Sequence, residues 1–440
     1  MLHIKTKVWT ILAILFILSM IVAILFATNF ISFSITTSPP ERGKIFDENG
    51  VILATNKKVK NELIRVYPQH EIASQVIGYV DSEKNNSYSN YVPAGRNGIE
   101  LQYENDLKGI PGKTLLFKIK DKKFLWNIQS PQKGKDIQLA LDYKLQQKTE
   151  EALRSQIKNT RDANAGYAVV IDVKTGKILT MANSSAFDPN RYLSSLGKEN
   201  IKRLSQNKTI QKLKYGESYV NMASTIKPLT ILIGLNEKLF QPADTYLDTG
   251  SFQYNDQNNV TNAAGTPTGE ITPSQAITNS SNTFMTAKVA IPLFNKNNGS
   301  LEKVSTTWTN YLKQFGLRSK SGVDLPFEEE GQYQLHASSK FESGISALLN
   351  ASWGGNEVHT PLQLAQYAAT LASKGDKYKS QIANAIIDND GKGTKKLKPI
   401  LESSNRYPLN FWSVLQDGMS HNIQEIKNLP FEVLLQRFLN

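Results

Sequence analysis

The sequence contains no cysteine among its 440 residues and only five histidines. Without cysteine there are no disulfide bridges and no thiolate metal sites, which suits a chain that works outside the cytoplasm without bridges. The scattered histidines form no H-E-x-x-H pair, and none follows a G-x-S-x-G elbow. We therefore expect no metal site, no cofactor and no histidine beside a catalytic nucleophile.

Charge is absent from the N-terminal segment between Lys7 and Glu41. Within it, the run from Val8 to Ala27 supplies 20 uncharged residues, a length that spans a bilayer. A cleaved signal peptide is the alternative, but the run is longer than a usual signal core and no clear A-x-A site follows it. Because Lys5 and Lys7 precede the run, we expect a cytoplasmic tail over 1–7. A single-pass anchor in the cell membrane over 8–28 would then leave the rest of the chain on the extracytoplasmic side.

The chain carries a formal net charge of +12. In a cytosolic protein this charge would suggest nucleic acid, but outside the membrane the available anions are lipid headgroups and acidic wall polymers. A solvated basic surface explains the charge equally well. We expect no nucleic-acid partner.

The composition changes along the chain and predicts two modules of an α+β protein. Residues 41–135 begin with a strand, a turn at Glu48 to Gly50 and a second strand, and continue as an irregular, glycine-containing segment. Residues 136–440 alternate helical and strand patterns. Here we predict a hairpin that turns at Lys174 to Gly176, and helices over 145–157, 273–291, 301–316, 360–375 and 410–420.

A serine and a lysine open the apolar segment "STIKPLTILIGL". Ser224 and Lys227 are one helical turn apart and face the same way, so they form a candidate nucleophile and base. The Ser-x-x-Lys pattern alone is unspecific, but only this copy opens an apolar run long enough for a buried helix. Burial would lower the pKa of the Lys227 amine and let it act as a base. A helix that starts near Ser224 tolerates Pro228 and directs backbone N–H groups toward a developing oxyanion.

A second polar cluster, "ITNSSNTF", follows about fifty-five residues later. Ser280 offers a hydroxyl for proton relay, and Asn282 offers a carboxamide for substrate hydrogen bonds. The same letters are equally compatible with a helix N-cap.

The order of these motifs resembles class B penicillin-binding proteins, the membrane-anchored D,D-transpeptidases of peptidoglycan synthesis. The resemblance covers about 380 residues and includes "RGKIFDENGVILA", "GRNGIELQYENDLKG", "STIKP", "SSN" and "HTPLQLAQYAATLASKG". It implies a non-catalytic, dimerisation-type pedestal over 41–135 and a transpeptidase domain over 136–440 with the serine beta-lactamase-like fold. It also implies peptidoglycan stem peptides and beta-lactams as ligands, and a complex with a wall-synthesis glycosyltransferase.

In this family the Ser-x-x-Lys serine is the nucleophile. Carried over, the resemblance makes Ser224 the group that attacks the penultimate D-alanine carbonyl of a stem peptide and Lys227 the general base. Ser280 would relay a proton, and Asn282 would hold the substrate amide. The N–H of Ser224 would be one oxyanion donor.

The family's third motif, Lys-Thr/Ser-Gly on a strand after Ser-x-Asn, has no convincing match. Lys174-Thr175-Gly176 precedes Ser224 and corresponds to a hairpin turn, Lys320-Ser321-Gly322 falls in a loop, and Gly391 to Thr394 has the wrong order. Because the tail over 424–440 also departs from the family, we expect a C-terminally truncated member that lacks the last strands of its sheet. Two alternatives stay open, a catalytically inactive scaffold and a beta-lactam hydrolase or sensor.

Overall fold

The computed structural model describes most of the chain. The described residues are 2–27, 31–59, 62–83, 92–161, 163, 165–184, 186–192, 220–254, 259–335, 341–355 and 357–427.

The N-terminal segment forms one helix, α1, over Leu2–Ala27. The apolar side chains that the structure describes here, from Leu12 to Ile24, are exposed by 44–66%. The side chains of residues 2–11, 13, 25 and 26 lie outside the described set. Judged on what is described, no helix reaches the length and hydropathy of a membrane span. The anchor over 8–28 stays a prediction.

The next part of the chain is mostly β-structure with three short helices. Its strands are β1 Ile31–Ser38, β2 Ile45–Phe46, β3 Ile52–Val59, β4 Glu62–Val66, β5 Val80–Glu83, β6 Val92–Gly95, β7 Gly112–Ile119, β8 Lys122–Gln129 and β9 Asp136–Leu139. Its helices are α2 Ser74–Ile77, α3 Gly98–Gln102 and α4 Glu104–Leu107. The predicted first hairpin is confirmed as β2 and β3, which pair antiparallel.

Helices dominate the remainder. They are α5 Tyr143–Asn159, α6 Lys227–Asn236, α7 Pro273–Thr278, α8 Asn282–Phe284, α9 Ile291–Lys296, α10 Leu301–Gln314, α11 Phe341–Trp353, α12 Pro361–Ala372 and α13 Leu409–Lys427. The strands are β10 Tyr167–Ile171, β11 Ile178–Asn183, β12 Val220–Asn221, β13 Tyr246–Asp248, β14 Ser251–Gln253, β15 Asn259–Thr261, β16 Gly269–Ile271, β17 Gln332–Tyr333, β18 Glu357–His359, β19 Asp376–Tyr378, β20 Ala383–Ile387, β21 Thr394–Lys396 and β22 Leu401–Ser404. Single turns of 3₁₀-helix lie at Pro189–Tyr192, Ala223–Ile226 and Ala263–Gly265, and a π-helical turn spans Met285–Ala290.

A six-stranded mixed sheet joins the two predicted modules, in the order β21-β20-β9-β2-β3-β4. Strands β2 and β9 run parallel, with Ile45 beside Ile137, and β20 pairs antiparallel with β9. The predicted boundary between residues 135 and 136 therefore separates segments of sequence that share one sheet. A hydrophobic core lies against this sheet and includes Leu53, Ile99 and Ile382.

The second core surrounds α6, in which residues 227–235 are all buried. A helix that is apolar on every side belongs inside a protein, so α6 packs centrally among α7, α11 and α13. The start of α6 accommodates Pro228, as predicted. Ser224 lies in a 3₁₀ turn, α6 begins at Lys227, and Pro228 occupies the first turn of α6, where no intrahelical N–H is needed.

One predicted helix is wrong. The pattern over 273–291 predicts a continuous helix, but α7 ends at Thr278 and the chain turns at Ser280, whose φ is +53°. Ser281 then caps the next turn, since its hydroxyl accepts a hydrogen bond from the N–H of Phe284 at 3.0 Å. The cap predicted as an alternative is therefore present, and it belongs to Ser281.

Candidate active site

The candidate nucleophile, Ser224, lies on a tight turn just before the N-terminal end of α6. Ala223, just before Ser224, has a φ of +45°, a left-handed conformation that costs an L-residue about 1 kcal/mol. Gly354 packs against it, and a Cβ at Gly354 would lie 1.8 Å from the carbonyl oxygen of Ala223. A glycine is required there because the two backbones touch. The Ser224 side chain itself is exposed.

Lys227 is the centre of the cluster. Its side chain is 1% exposed. Its Nζ lies 3.0 Å from Ser224 Oγ and 2.8 Å from Ser280 Oγ. The same atom lies 2.6 Å from the carbonyl oxygen of Ser280 and 2.7 Å from Asn282 Oδ1. All four of these neighbours are neutral oxygens.

The protonation of Lys227 follows from these surroundings. Burial penalises the ammonium form and lowers the pKa of Lys227 to about 7. A neutral amine has two N–H donors, which fit the Ser280 carbonyl and Asn282 Oδ1, and a lone pair that faces Ser224 Oγ. The arrangement therefore allows Lys227 to accept the proton of the Ser224 hydroxyl.

The second polar cluster completes the arrangement. Ser280 Oγ lies 2.9 Å from Ser224 Oγ, so the two hydroxyls and the amine form a closed triangle. Asn282 is fixed from the other side, because its Nδ2 donates to the carbonyl oxygen of Thr261 at 2.9 Å. The four residues that the sequence singled out thus lie within hydrogen-bonding distance of one another, through Lys227.

Two residues that sequence reasoning missed hold the Ser280–Asn282 turn in place. The Oδ1 of Asn262 accepts from the backbone N–H of Asn282 at 2.8 Å. Its Nδ2 donates to both carboxylate oxygens of Asp248, at 3.0 and 2.8 Å. Asp248 also accepts from the Ser281 hydroxyl at 2.6 Å. Asp248 and Asn262 form no short sequence motif with Ser280 or Asn282. The only sequence signal for them was that they precede "SSN".

Asp248 is a buried carboxylate, 1% exposed, without a cation among its described partners. Burial alone would raise its pKa, but the hydrogen bonds that it accepts from Ser281, Thr268, Asn262 and the N–H of Gly250 lower its pKa to about 2. The turn beside Lys227 is thus tied to a charge that stays ionised at neutral pH.

The candidates for a third motif lie in turns and loops. Lys174-Thr175-Gly176 forms the turn between β10 and β11, where the Thr175 hydroxyl donates to Asp172 at 2.8 Å. The N–H groups of Ser321 and Gly322 instead bind the carboxylate of Glu328, at 2.6 and 3.0 Å. Lys174-Thr175-Gly176 therefore lies in the predicted hairpin turn, and Lys320-Ser321-Gly322 lies in the predicted loop. In the described part of the chain β10 and β11 form a two-stranded sheet.

Comparison with known proteins decides the family. A family model described as the penicillin-binding protein transpeptidase domain matches residues 166–414, more than half of the chain. The chain belongs to the penicillin-binding proteins. A second model, the penicillin-binding protein dimerisation domain, matches residues 58–139. The two matches confirm the class B resemblance, with a dimerisation-type segment ahead of the transpeptidase domain.

Curated penicillin-binding proteins of this kind are similar at a moderate level. Peptidoglycan D,D-transpeptidase MrdA of Acinetobacter baumannii is 27% identical over 341 residues, which cover 72% of this chain and 47% of that protein. Peptidoglycan D,D-transpeptidase FtsI of Escherichia coli K12 is 27% identical over 322 residues, with the same coverage of 72% and 47%. The chain spans about half the length of these relatives.

Solved structures agree with the family fold. The crystal structure of Pseudomonas aeruginosa PBP2 in complex with WCK 5153 matches with a TM-score of 0.69 and 25% identity, covering 88% of this chain and 80% of that one. The predicted α+β fold of penicillin-binding proteins is therefore confirmed.

Proposed function

We propose that this chain is a peptidoglycan D,D-transpeptidase that works through a serine acyl-enzyme. The observation that carries the proposal is the contact of Lys227 Nζ with Ser224 Oγ, Ser280 Oγ and Asn282 Oδ1, at 3.0, 2.8 and 2.7 Å. The family match and the D,D-transpeptidase names of its relatives indicate the substrate class, stem peptides that end in D-Ala-D-Ala.

Acylation begins with proton transfer to Lys227. The Ser224 oxygen attacks the carbonyl carbon of the penultimate D-alanine while its proton moves to the neutral amine. The resulting oxyanion is stabilised by N–H groups at the start of the 3₁₀ turn, where the N–H of Ser224 is one donor. A pKa of about 7 leaves about half of Lys227 unprotonated at neutral pH, which suits a general base.

The second half of acylation breaks the peptide bond. When the tetrahedral intermediate collapses, the C–N bond to the terminal D-alanine breaks and its nitrogen takes a proton from the Ser280 hydroxyl. The Ser280 oxygen then takes a proton from Lys227, whose Nζ lies 2.8 Å from Ser280 Oγ. Asn282 holds the substrate amide. An amine from a neighbouring strand then attacks the acyl-enzyme, which restores Ser224 and forms the cross-link.

The cellular setting belongs to the same proposal. Helix α1 would hold the protein in the cell membrane as a single-pass anchor, with 41–135 as the pedestal and 136–440 as the catalytic domain on the extracytoplasmic side. A wall-synthesis glycosyltransferase complex is the expected partner. The apolar run from Val8 to Ala27 supports the anchor.

The test is the intact mass of the full chain after incubation with benzylpenicillin, which mimics D-Ala-D-Ala. We expect one covalent adduct on the native protein and none on Ser224→Ala. The matched control is Ser300→Ala, which changes a serine that caps α10 in another Ser-x-x-Lys sequence. An adduct that persists in Ser224→Ala contradicts the assignment of the nucleophile.

The alternatives correspond to other outcomes of this experiment. A folded native protein that forms no adduct indicates an inactive scaffold. An adduct that forms and is hydrolysed rapidly indicates a beta-lactam hydrolase.

A further inference from the structure

A three-stranded sheet near the N-terminus has one apolar face. Strands β1, β7 and β8 pair antiparallel, and alternate residues of a strand lie on the same side of its sheet. The register places Phe33 beside Phe117 and Phe117 beside Phe124, and it places Ile35 beside Leu115 and Leu115 beside Trp126. We call these six residues the apolar face: Phe33, Ile35, Leu115, Phe117, Phe124 and Trp126.

Much of this face is accessible. Phe33 is 63% exposed, Ile35 61%, Phe124 51% and Trp126 74%. Among the described residues, neither hydrophobic core includes a member of β1, β7 or β8. A contiguous exposed patch with three aromatic rings is typical of a surface that contacts another apolar phase.

The same hairpin is strongly basic. Strands β7 and β8 and their turn carry five lysines, at positions 113, 118, 120, 122 and 123, against one acid, Asp121. Four of these lysines are exposed, and Lys118 is half-buried. The register places Lys122 on the side of the apolar face and Lys118 and Lys123 on the other side, next to the same turn. An apolar face with lysines at its edge matches the two chemical layers of an anionic membrane surface, acyl chains beneath phosphate groups.

The chain itself places this hairpin beside the end of α1. Helix α1 ends at Ala27 and β1 starts at Ile31, so the connection spans at most about 14 Å. Ile31 pairs with Ile119, the last residue of β7 before the turn. The turn and its lysines therefore lie next to the point where an anchored α1 would leave the bilayer.

We propose that the apolar face rests on the outer surface of the membrane, with Phe124 and Trp126 among the headgroups and the hairpin lysines against anionic phospholipids. This inference rests on the anchoring role of α1 in the proposed function. Trp and Lys are the side chains that favour this interface, since each combines an apolar part with a polar end. The contact would fix the tilt of the pedestal above the bilayer.

The absence of cysteine makes a direct test simple. In the full chain, Trp126→Cys is labelled with an environment-sensitive fluorophore and reconstituted in vesicles that contain phosphatidylglycerol and a headgroup-proximal spin-labelled lipid. Leu125→Cys is the matched control, because Leu125 is 73% exposed on the opposite face of the same strand. Phe124→Cys provides a second position on the apolar face. We expect the label at 126 and at 124 to be quenched about twofold more than the label at 125.

Charge gives an independent readout. Changing Lys120, Lys122 and Lys123 to Gln, in the Trp126→Cys background, should remove most of the extra quenching, as should vesicles of phosphatidylcholine alone. Circular dichroism checks that each variant is folded.

Each remaining outcome is decisive. Equal quenching at 125 and 126 in chains that float with the vesicles overturns the proposal and leaves the anchor intact. Shielding of the label at 126 in detergent without lipid overturns it in favour of a protein contact. Chains that do not float overturn both the anchor and this inference, whereas benzylpenicillin acylation of Ser224 tests the catalytic proposal separately.

Discussion

The cluster around Glu100 and the cluster around Lys227 both bury cations, and they treat the charge in opposite ways. In the pedestal, Arg65 and Arg42 are 1% and 3% exposed, and both bind the buried carboxylate of Glu100 through 2.7 Å ion pairs. In the candidate active site, Lys227 is equally buried, but its partners are hydroxyl, carbonyl and carboxamide oxygens.

The difference lies in where the negative charge is placed. Burial would raise the pKa of Glu100, but Arg65 and Arg42 outweigh that effect and lower its pKa, so all three groups stay charged. Beside the Ser280–Asn282 turn, the buried carboxylate of Asp248 binds Ser281, the neighbour of Ser280, and not the amine of Lys227. A buried cation that contacts a carboxylate keeps its positive charge. Lys227 contacts neutral oxygens, and the carboxylate binds Ser281 instead, so the amine can lose its proton.

The largest expected effect comes from making the Lys227 charge permanent. Lys227→Arg keeps a cation but has no accessible neutral form, so we expect benzylpenicillin acylation to fall about 10³-fold. Stopped-flow labelling measures the rate, and thermal melting checks that the protein is folded. Lys296→Arg is the control, since Lys296 is half-exposed and pairs with Glu237. If Lys227→Arg is acylated at the native rate, Lys227 is not the general base.

Neutralising the pedestal carboxylate is the converse experiment. Glu100→Gln leaves Arg65 buried without its carboxylate partner and leaves Arg42 paired only with Glu104, which should lower the free energy of unfolding by about 3–5 kcal/mol. Urea denaturation measures the loss. Glu104→Gln, which removes a 25% exposed partner of Arg42, should cost less. Equal losses in the two variants would show that burial of the carboxylate does not matter.

A smaller effect is expected at Asp248. Its pKa of about 2 lies below the ordinary value of 3.8, so its contribution to stability is present above pH 4 and is lost as the pH falls toward 2. Asp248→Asn should cost about 2 kcal/mol at neutral pH and should flatten this acid dependence. Because Asp248 positions the turn through Asn262, acylation should also slow, about tenfold.

Denaturation at several pH values, compared with Asp244→Asn on an exposed loop, separates the two effects of Asp248. An unchanged acid dependence in Asp248→Asn would show that the carboxylate is not the titrating group.

The mildest test uses pH alone. Since burial lowers the pKa of Lys227 to about 7, acylation should rise about tenfold per pH unit below 7 and level off above it. The pH profile of benzylpenicillin acylation measures this directly. A midpoint near 10, the ordinary value for a lysine, would mean that the amine is better solvated than its burial indicates.

Local signals were enough to single out the four residues that the structure brings together. Ser224 and Lys227 are one turn apart at the start of a buried helix, and both properties are visible in "STIKPLTILIGL". Ser280 and Asn282 were singled out because the polar cluster "ITNSSNTF" offers a hydroxyl and a carboxamide at this spacing. The support from Asp248 and Asn262 was missed because those contacts depend on folding of the chain between residues 248 and 282, which no short pattern encodes.

The fold was predicted less evenly. Strand and helix positions such as β10, β11 and α12 follow hydrophobic periodicity and were right. The continuous helix over 273–291 was wrong, because apolar spacing does not reveal the left-handed turn at Ser280. The shared sheet was missed as well, since the parallel pairing of Ile45 with Ile137 joins positions far apart in sequence. Helix α13 also extends through Lys427, beyond the predicted 410–420.

The shared six-stranded sheet has a consequence for biosynthesis. Strand β9 leaves the ribosome early, but its neighbour β20 and the next strand, β21, lie at Ala383–Ile387 and Thr394–Lys396. Strand β20 cannot join until more than 240 further residues have been made, so the edge of β9 at Ile137 lacks this native partner during much of translation. Closing such a long loop is slow, and an exposed strand edge pairs readily with other chains. The N-terminal and C-terminal parts of this sheet must therefore finish folding together, and protection of that edge by a chaperone would matter most just before β20 emerges.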